Sequence, residues 1–183
     1  MLLSRASSQL LIVDVQERLL PAMHEPDRLL ERCAVLLEAA ARLGVPTTLS
    51  EQYRKGLGPT ATRLDNLRGD SPILEKMHFS CAEDPGLAQR IGALAAEGRR
   101  QVVVAGIESH VCVLQSALGF KAMGYDVAVV MDAVSSRQPA SIDLARQRYL
   151  ANGVSAVNTE MALFEWLDVS GTPEFKDVSK LIK

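Results

Sequence analysis

The sequence predicts an α/β fold: three layers, α/β/α, built on a six-stranded parallel sheet of the Rossmann-like kind. Two observations carry this. Short apolar runs alternate with helical patterns from one end of the chain to the other. The strongest runs, 9–15 (QLLIVDV) and 101–105 (QVVVA), are apolar almost throughout, as strands covered on both faces are. Six such runs with helices between them imply right-handed crossovers, which lay helices on both sides of the sheet.

Taken in order, strand one at 9–15 leads to a long helix at 27–43. There Leu29, Leu30, Cys33, Leu36, Leu37, Ala40 and Leu43 keep helical spacing, and Gly44 with Pro46 marks the stop. Strand two is expected at 46–50 (PTTLS), followed by a loop at 52–59 that turns or covers the site, then a short helix. Strand three is expected at 73–77. Asp84-Pro85 reads as a cap and first-turn proline for a helix ending at Gly98. After strand four at 101–105, Gly106 permits a tight turn into a helix stopped by Gly124. Strand five at 126–131, a helix at 141–151, strand six at 154–157 and a last helix capped by Thr159 and running to Trp166 complete the pattern. The segment from Pro173 onward reads as a peripheral helix or an arm onto a neighbouring subunit.

A chain of 183 residues, 48% hydrophobic and 23% charged, suits one compact domain over 1–183. Its 20 basic and 22 acidic side chains give a formal net charge of −2 with no basic run, so neither nucleic acid nor a membrane surface is an expected partner. No stretch approaches the roughly 18 apolar residues of a membrane span, and the N-terminal apolar run enters Asp14 without a small-residue cleavage site. Cys33, Cys81 and Cys112 are too sparse for a disulfide framework, which points to reduced thiols and a cytoplasmic location.

In parallel sheets, ligands bind beyond the carboxyl ends of the strands, near the point where strand order reverses. Three reactive residues fall at such ends: Asp14, Lys76 and Cys112. Each has a plainer reading alone, as a turn acid, a solvated lysine and a packed thiol. Together they make a nucleophile with its assistants. The helix after strand four places Cys112 in its first turn, where the macrodipole is expected to lower the thiol pKa. A carboxylate at Asp14 can take the thiol proton, and Lys76 can stabilise the resulting anions. Lys76 must reach across two strand spacings, about 10 Å at ~4.8 Å each.

The segments LLIVDVQ, EQYRKGLGPT, ILEKMHFS and VVVAGIESHVCVLQSALGFKAMGYDVAVVMDAVSSR resemble those of the isochorismatase-like cysteine hydrolase superfamily, in order, from Leu10 to about Trp166. GIESHVCV followed by DAVSSR is the most specific part, and the nearest subgroup is that of the compact isochorismatase-domain hydrolases. The resemblance implies a catalytic triad of Asp14, Lys76 and Cys112 acting on an amide, imide or related carbonyl through a thioester. It also implies a cis peptide bond between Ile107 and Glu108, an oxyanion hole made by the backbone N–H groups of Glu108 and Cys112, and a homo-oligomer. Trp166, Phe164 and the segment 173–183 are candidates for subunit contacts.

No dinucleotide or P-loop glycine pattern occurs, and no cofactor is expected. No metal is expected either: the nicotinamidase branch carries an Asp-x-His pair after strand two, where this chain has Glu51-Gln52-Tyr53, and His24, His78 and His110 share no ligand spacing. Gln16, Gln52, Tyr53 and Phe79 are candidates for the lining of a pocket that takes a small-molecule substrate. Two other readings stay open: an isochorismatase-type vinyl-ether hydrolase in which Cys112 is dispensable, and a non-enzymatic oligomeric interaction module on the same fold.

Overall fold

The computed structural model describes residues 1–182 of the chain. Six strands, β1 (Ser8–Val13), β2 (Thr47–Gln52), β3 (Ile73–Lys76), β4 (Gln101–Ile107), β5 (Asp126–Ser135) and β6 (Ser155–Val157), form one parallel sheet in the order β3-β2-β1-β4-β5-β6. The helices are α1 (Pro26–Leu43), α2 (Arg54–Leu57), α3 (Thr62–Leu67), α4 (Pro85–Ala96), α5 (Cys112–Ala122), α6 (Pro139–Ala151), α7 (Thr159–Leu167) and α8 (Pro173–Val178). The three-layer α/β/α reading of the sequence holds.

The near-continuous apolar runs are explained by the two cores that the sheet separates. In β1, Leu10 and Ile12 join one core while Leu11 and Val13 join the other. In β4, Val103, Ala105 and Ile107 face the first core, and Val102 and Val104 face the second. The first core is closed by α1, α3 and α7, the second by α4, α5 and α6. Helix α1 ends as its glycine predicts: Gly44 adopts φ +68° and its N–H reaches back to the carbonyls of Ala40 and Ala41.

Several element ends differ from the sequence reading. Strand β1 stops at Val13 because Asp14 turns to φ 53°, in the left-handed region. Strand β5 runs past residue 131 to Ser135, because a register shift opposite Val104–Gly106 lets pairing with β4 resume at Val134. Gly106 lies inside β4 and not in a turn after it. Helix α6 starts at Pro139, which occupies its first turn. The cap of α7 is Asn158, whose side chain accepts from the Met161 N–H at 2.8 Å, and Thr159 is the first helical residue. Helix α8 packs on α1 of its own chain, with Arg42 paired to Asp177 at 3.2 Å. Trp166 is buried and donates to the Ser8 hydroxyl at 3.0 Å, so it serves the core and offers no surface to a neighbouring subunit. No helix among the described residues is long and apolar enough to cross a membrane.

Candidate active site

Chain connections leave β1 toward β2 on one side and β4 toward β5 on the other, so the carboxyl ends of β1 and β4 flank the point where strand order reverses. Asp14 sits there, just past β1, fully buried. Its backbone N–H donates to the Ser50 carbonyl at 3.1 Å. Its carboxylate accepts from the Ser50 hydroxyl at 2.7 Å on Oδ1 and from Lys76 Nζ at 2.7 Å on Oδ2. Gly106 makes this position possible. It adopts φ +111°, and a Cβ there would overlap the Val13 carbonyl oxygen and lie 2.6 Å from the Val13 nitrogen. Only glycine lets β4 press this closely on the residue that precedes Asp14.

Lys76 ends β3, two strands from Asp14, with Gln52 as its register partner on the intervening β2. The side chain crosses that strand and is itself buried. Its ammonium donates to Asp14, to Gln52 Oε1 at 2.6 Å and to the Phe79 carbonyl at 3.3 Å. Burial by itself draws the Lys76 pKa down, but the charge of Asp14, with those of Cys81 and Cys112 and the hydrogen bond to Asp14, outweighs it and leaves the pKa raised. Lys76 therefore stays an ammonium beside its carboxylate.

Cys112 is the first residue of α5, 7% exposed, with its thiol facing Asp14. The expectation of a lowered pKa is corrected here. Burial, then the Asp14 charge, then the hydrogen bond to Asp14 push the Cys112 thiol well above its ordinary value, and Lys76 opposes this only in part. Desolvation and the charge of Asp14 are the two largest causes of that rise. At rest the site holds a protonated thiol against a carboxylate that an ammonium neutralises. The Ile107–Glu108 peptide bond is cis. Among the described residues, the backbone N–H groups of Glu108 and Cys112 have no protein acceptor.

Above the thiol lies a cavity of about 250 Å³, whose lining includes Asp14, Cys112, Gln52, Phe79 and Glu108. Of the four lining candidates, Gln52 and Phe79 are present. Gln16 is not: it is buried with its amide tied to the backbone of Gln52 and of Gly58, fixing the loop between β2 and α3. Tyr53 is half-exposed outside the cavity, with its ring lying against Gly56. Helix α2 places Leu57 in the cavity wall, so the segment after β2 does cover the site.

Sequence reasoning missed Ser50 and the Glu108–Arg137 pair. Glu108 accepts from Arg137 Nε and Nη2, both at 3.0 Å, and from the Arg137 backbone N–H at 3.2 Å. The available signal was an acid inside GIESHVCV and a base closing DAVSSR, two segments that flank one pocket. In the second segment, Asp132 takes the Thr159 N–H and hydroxyl at the start of α7, at 2.8 and 2.9 Å.

Glu51, at the position where the nicotinamidase branch places a metal ligand, is committed to Thr60 and Arg54. His110 pairs with the Ser136 hydroxyl at 2.9 Å, and His78 is exposed 4.0 Å from Asp84. Among the described residues, no group of three or more His, Cys, Asp and Glu side chains could hold a metal ion.

Sheet order and site together define a three-layer α/β protein with a thiol, a carboxylate and an ammonium gathered at the strand ends. The isochorismatase domain family matches residues 8–161, and the chain belongs to that family. It is 35% identical over 180 residues to the secreted isochorismatase effector Isc1 of Phytophthora sojae, covering 97% of this chain and 85% of that protein. To isochorismatase domain-containing protein 1 of Danio rerio it is 35% identical over 183 residues, covering 99% of this chain and 62% of the relative. Among solved structures, the MAR1 ribonuclease of Caenorhabditis elegans superposes with a TM-score of 0.92 at 32% identity, over 100% of this chain and 92% of that one.

Proposed function

We propose that this isochorismatase-family hydrolase uses Cys112 as a nucleophile against an amide, imide or related carbonyl, with Asp14 and Lys76 completing a catalytic triad. The observation that carries the reading is the buried Asp14–Lys76 pair, 2.7 Å apart, with the Cys112 thiol against its carboxylate. A thiol with a raised pKa is a poor nucleophile until its proton leaves. Asp14 takes that proton as the sulfur attacks the carbonyl carbon, and the Lys76 ammonium stabilises the charge as it moves from carboxylate to sulfur and substrate. The uncommitted N–H groups of Glu108 and Cys112 receive the developing oxyanion. Proton return from Asp14 lets an amine-type group leave, a thioester remains on Cys112, and water deacylates it.

The reaction requires no metal or other cofactor: addition of a chelator leaves activity intact, and zinc-restored activity after chelation would contradict this. The cavity volume of about 250 Å³ and the net charge of −2 support a small molecule over a polynucleotide. Residues 1–183 act as one domain, within a homo-oligomer to which the exposed Met161 and Phe164 of α7 are suited. Three free, buried thiols suit a reducing, cytoplasmic setting.

A screen of wild type and Cys112→Ala against amides, ureido acids, hydroxamates, isochorismate and RNA tests the reading. Amide-type turnover that vanishes in Cys112→Ala supports it. Vinyl-ether or RNA cleavage that survives the substitution would overturn it.

A further inference from the structure

We propose that Arg137 anchors a carboxylate on the substrate, so that the pocket takes a small amide carrying an acid group; the inference rests on the reading of Cys112 as the nucleophile. Arg137 and Cys112 line the same cavity of about 250 Å³. They differ in depth: Cys112 is 7% exposed, whereas the Arg137 side chain is 61% exposed. The thiol therefore lies at the floor and the guanidinium at the mouth, with Leu19, Leu57, Phe79 and Val111 also in the lining.

A guanidinium carries five N–H donors in a planar fork. One donor on Nε and one on Nη2 go to Glu108, each at 3.0 Å. Among the described residues, no protein acceptor takes the two donors on Nη1 or the second on Nη2. Those donors form the terminal edge of the fork, whose paired N–H groups match the two oxygens of a carboxylate. Lys76 cannot play this part, because the three donors of its ammonium already go to Asp14, Gln52 and the Phe79 carbonyl.

Glu108 holds the fork in place. Its side chain is 8% exposed, and its Oε2 also accepts from the Arg137 backbone N–H at 3.2 Å. Arg137 is thus tied through backbone and side chain to one residue, which lowers the entropy lost when a ligand docks on it. Glu108 also sets a length. Its backbone N–H is the oxyanion donor of the proposed mechanism, and its side chain ends on Arg137. The scissile carbonyl and the acid group are therefore about one glutamate side chain apart, so the substrate is a short amide or ureide with a carboxylate a few bonds away. At the mouth that carboxylate keeps part of its water, so binding avoids the cost of full desolvation. The opposing charge of Glu108 and the exposure of Arg137 limit the gain to that of a well-formed surface ion pair.

N-iodoacetylglycine and its amide, N-iodoacetylglycinamide, test this directly, since they match in size and differ by one carboxylate. Each alkylates a thiol by displacement: the S–C bond forms, iodide leaves and the thiol proton is released. The ratio of their rates at Cys112 is read by peptide mapping in the folded protein and divided by the same ratio in the urea-unfolded chain. The expected quotient favours the acid roughly fivefold, the rate equivalent of one well-formed exposed ion pair. It should fall as salt is raised, because a charge at the mouth is screened. Arg137→Gln should bring it near one, and Arg137→Lys, which keeps the charge without the fork, should retain only part of it.

A wild-type quotient of one or below, or one that salt leaves unchanged, would overturn the acid-bearing substrate class; this reading needs no variant to fold. The wild-type quotient persisting in Arg137→Gln would overturn the assignment to Arg137, and its full retention in Arg137→Lys would overturn the forked contact. Labelling of Cys33 or Cys81 by both reagents with Cys112 untouched would instead overturn the nucleophile reading, and this inference with it.

Discussion

Asp14 is held at its backbone and at both carboxylate oxygens, and the account of the site turns on those holds. The Ser50 hydroxyl at 2.7 Å fixes one oxygen, and Lys76 fixes the other. Ser50→Ala removes a buried charge-assisted hydrogen bond, worth about 1.5–3 kcal/mol, and should lower kcat/KM roughly tenfold in steady-state assays while the protein remains folded. Lys76→Met should be harsher, because it leaves the Asp14 carboxylate buried without its partner, a loss of about 3–5 kcal/mol by urea unfolding. The double variant Asp14→Asn/Lys76→Met should recover most of that stability and none of the activity. That Asp14, Lys76 and Cys112 come together was legible because each is a reactive residue type at a strand or helix end. Ser50 was not: a serine closing PTTLS reads as an ordinary strand residue until the partner strand shows what it faces. Gln16 and Tyr53 were misread for the converse reason, since sequence adjacency to the site does not say whether a side chain turns toward substrate or toward a loop.

At the scale of elements, β1 and β4 must run close together for Asp14 to meet Cys112. Gly106 sets that spacing, with its φ of +111° and the Val13 backbone where a Cβ would be. Gly106→Ala should therefore destabilise the protein by at least ~3 kcal/mol, seen as a lower urea midpoint, and should lose activity by displacing Asp14. A midpoint unchanged from wild type would mean that β4 does not press on β1 as described. The sequence showed Gly106 as significant but suggested a turn; its use as a contact point between strands depends on a neighbour about ninety residues away. Strand β5 was underestimated for a similar reason. The sequence reading ended it at residue 131, yet after the register shift beside Gly106, Val134 and Ser135 resume pairing with β4. Helix positions were more legible, because Gly44, Pro85 and Gly98 mark helix ends locally.

Across the whole molecule, the sheet divides two cores, and each contains a thiol that mechanism does not use. Burial, aided by Asp132, pushes Cys33 up to about 12, and burial, aided by Asp14, pushes Cys81 up to about 11, from an ordinary value of 9.0. Folded-state pKa values above the unfolded ones give stability that is fully present below pH 9 and is lost as pH rises through 11 to 12. Between pH 9 and 10 each thiol should take away about 1 kcal/mol, measured as falling urea midpoints. Cys33→Ala should flatten that alkaline decline by one thiol's share, whatever its effect at pH 7. A wild-type midpoint that does not change from pH 8 to pH 10 would contradict the burial of both groups.

The central claim is that acyl transfer passes through the Cys112 sulfur. It is tested most directly by acid-quenching wild-type enzyme during turnover of an amide identified in the screen, then measuring intact mass and mapping the adduct. The account predicts an added acyl mass on the Cys112 peptide, removable by hydroxylamine as a thioester is, and absent from Cys112→Ala. Turnover in Cys112→Ala at the wild-type rate, or an acyl group carried on any other residue, would contradict it.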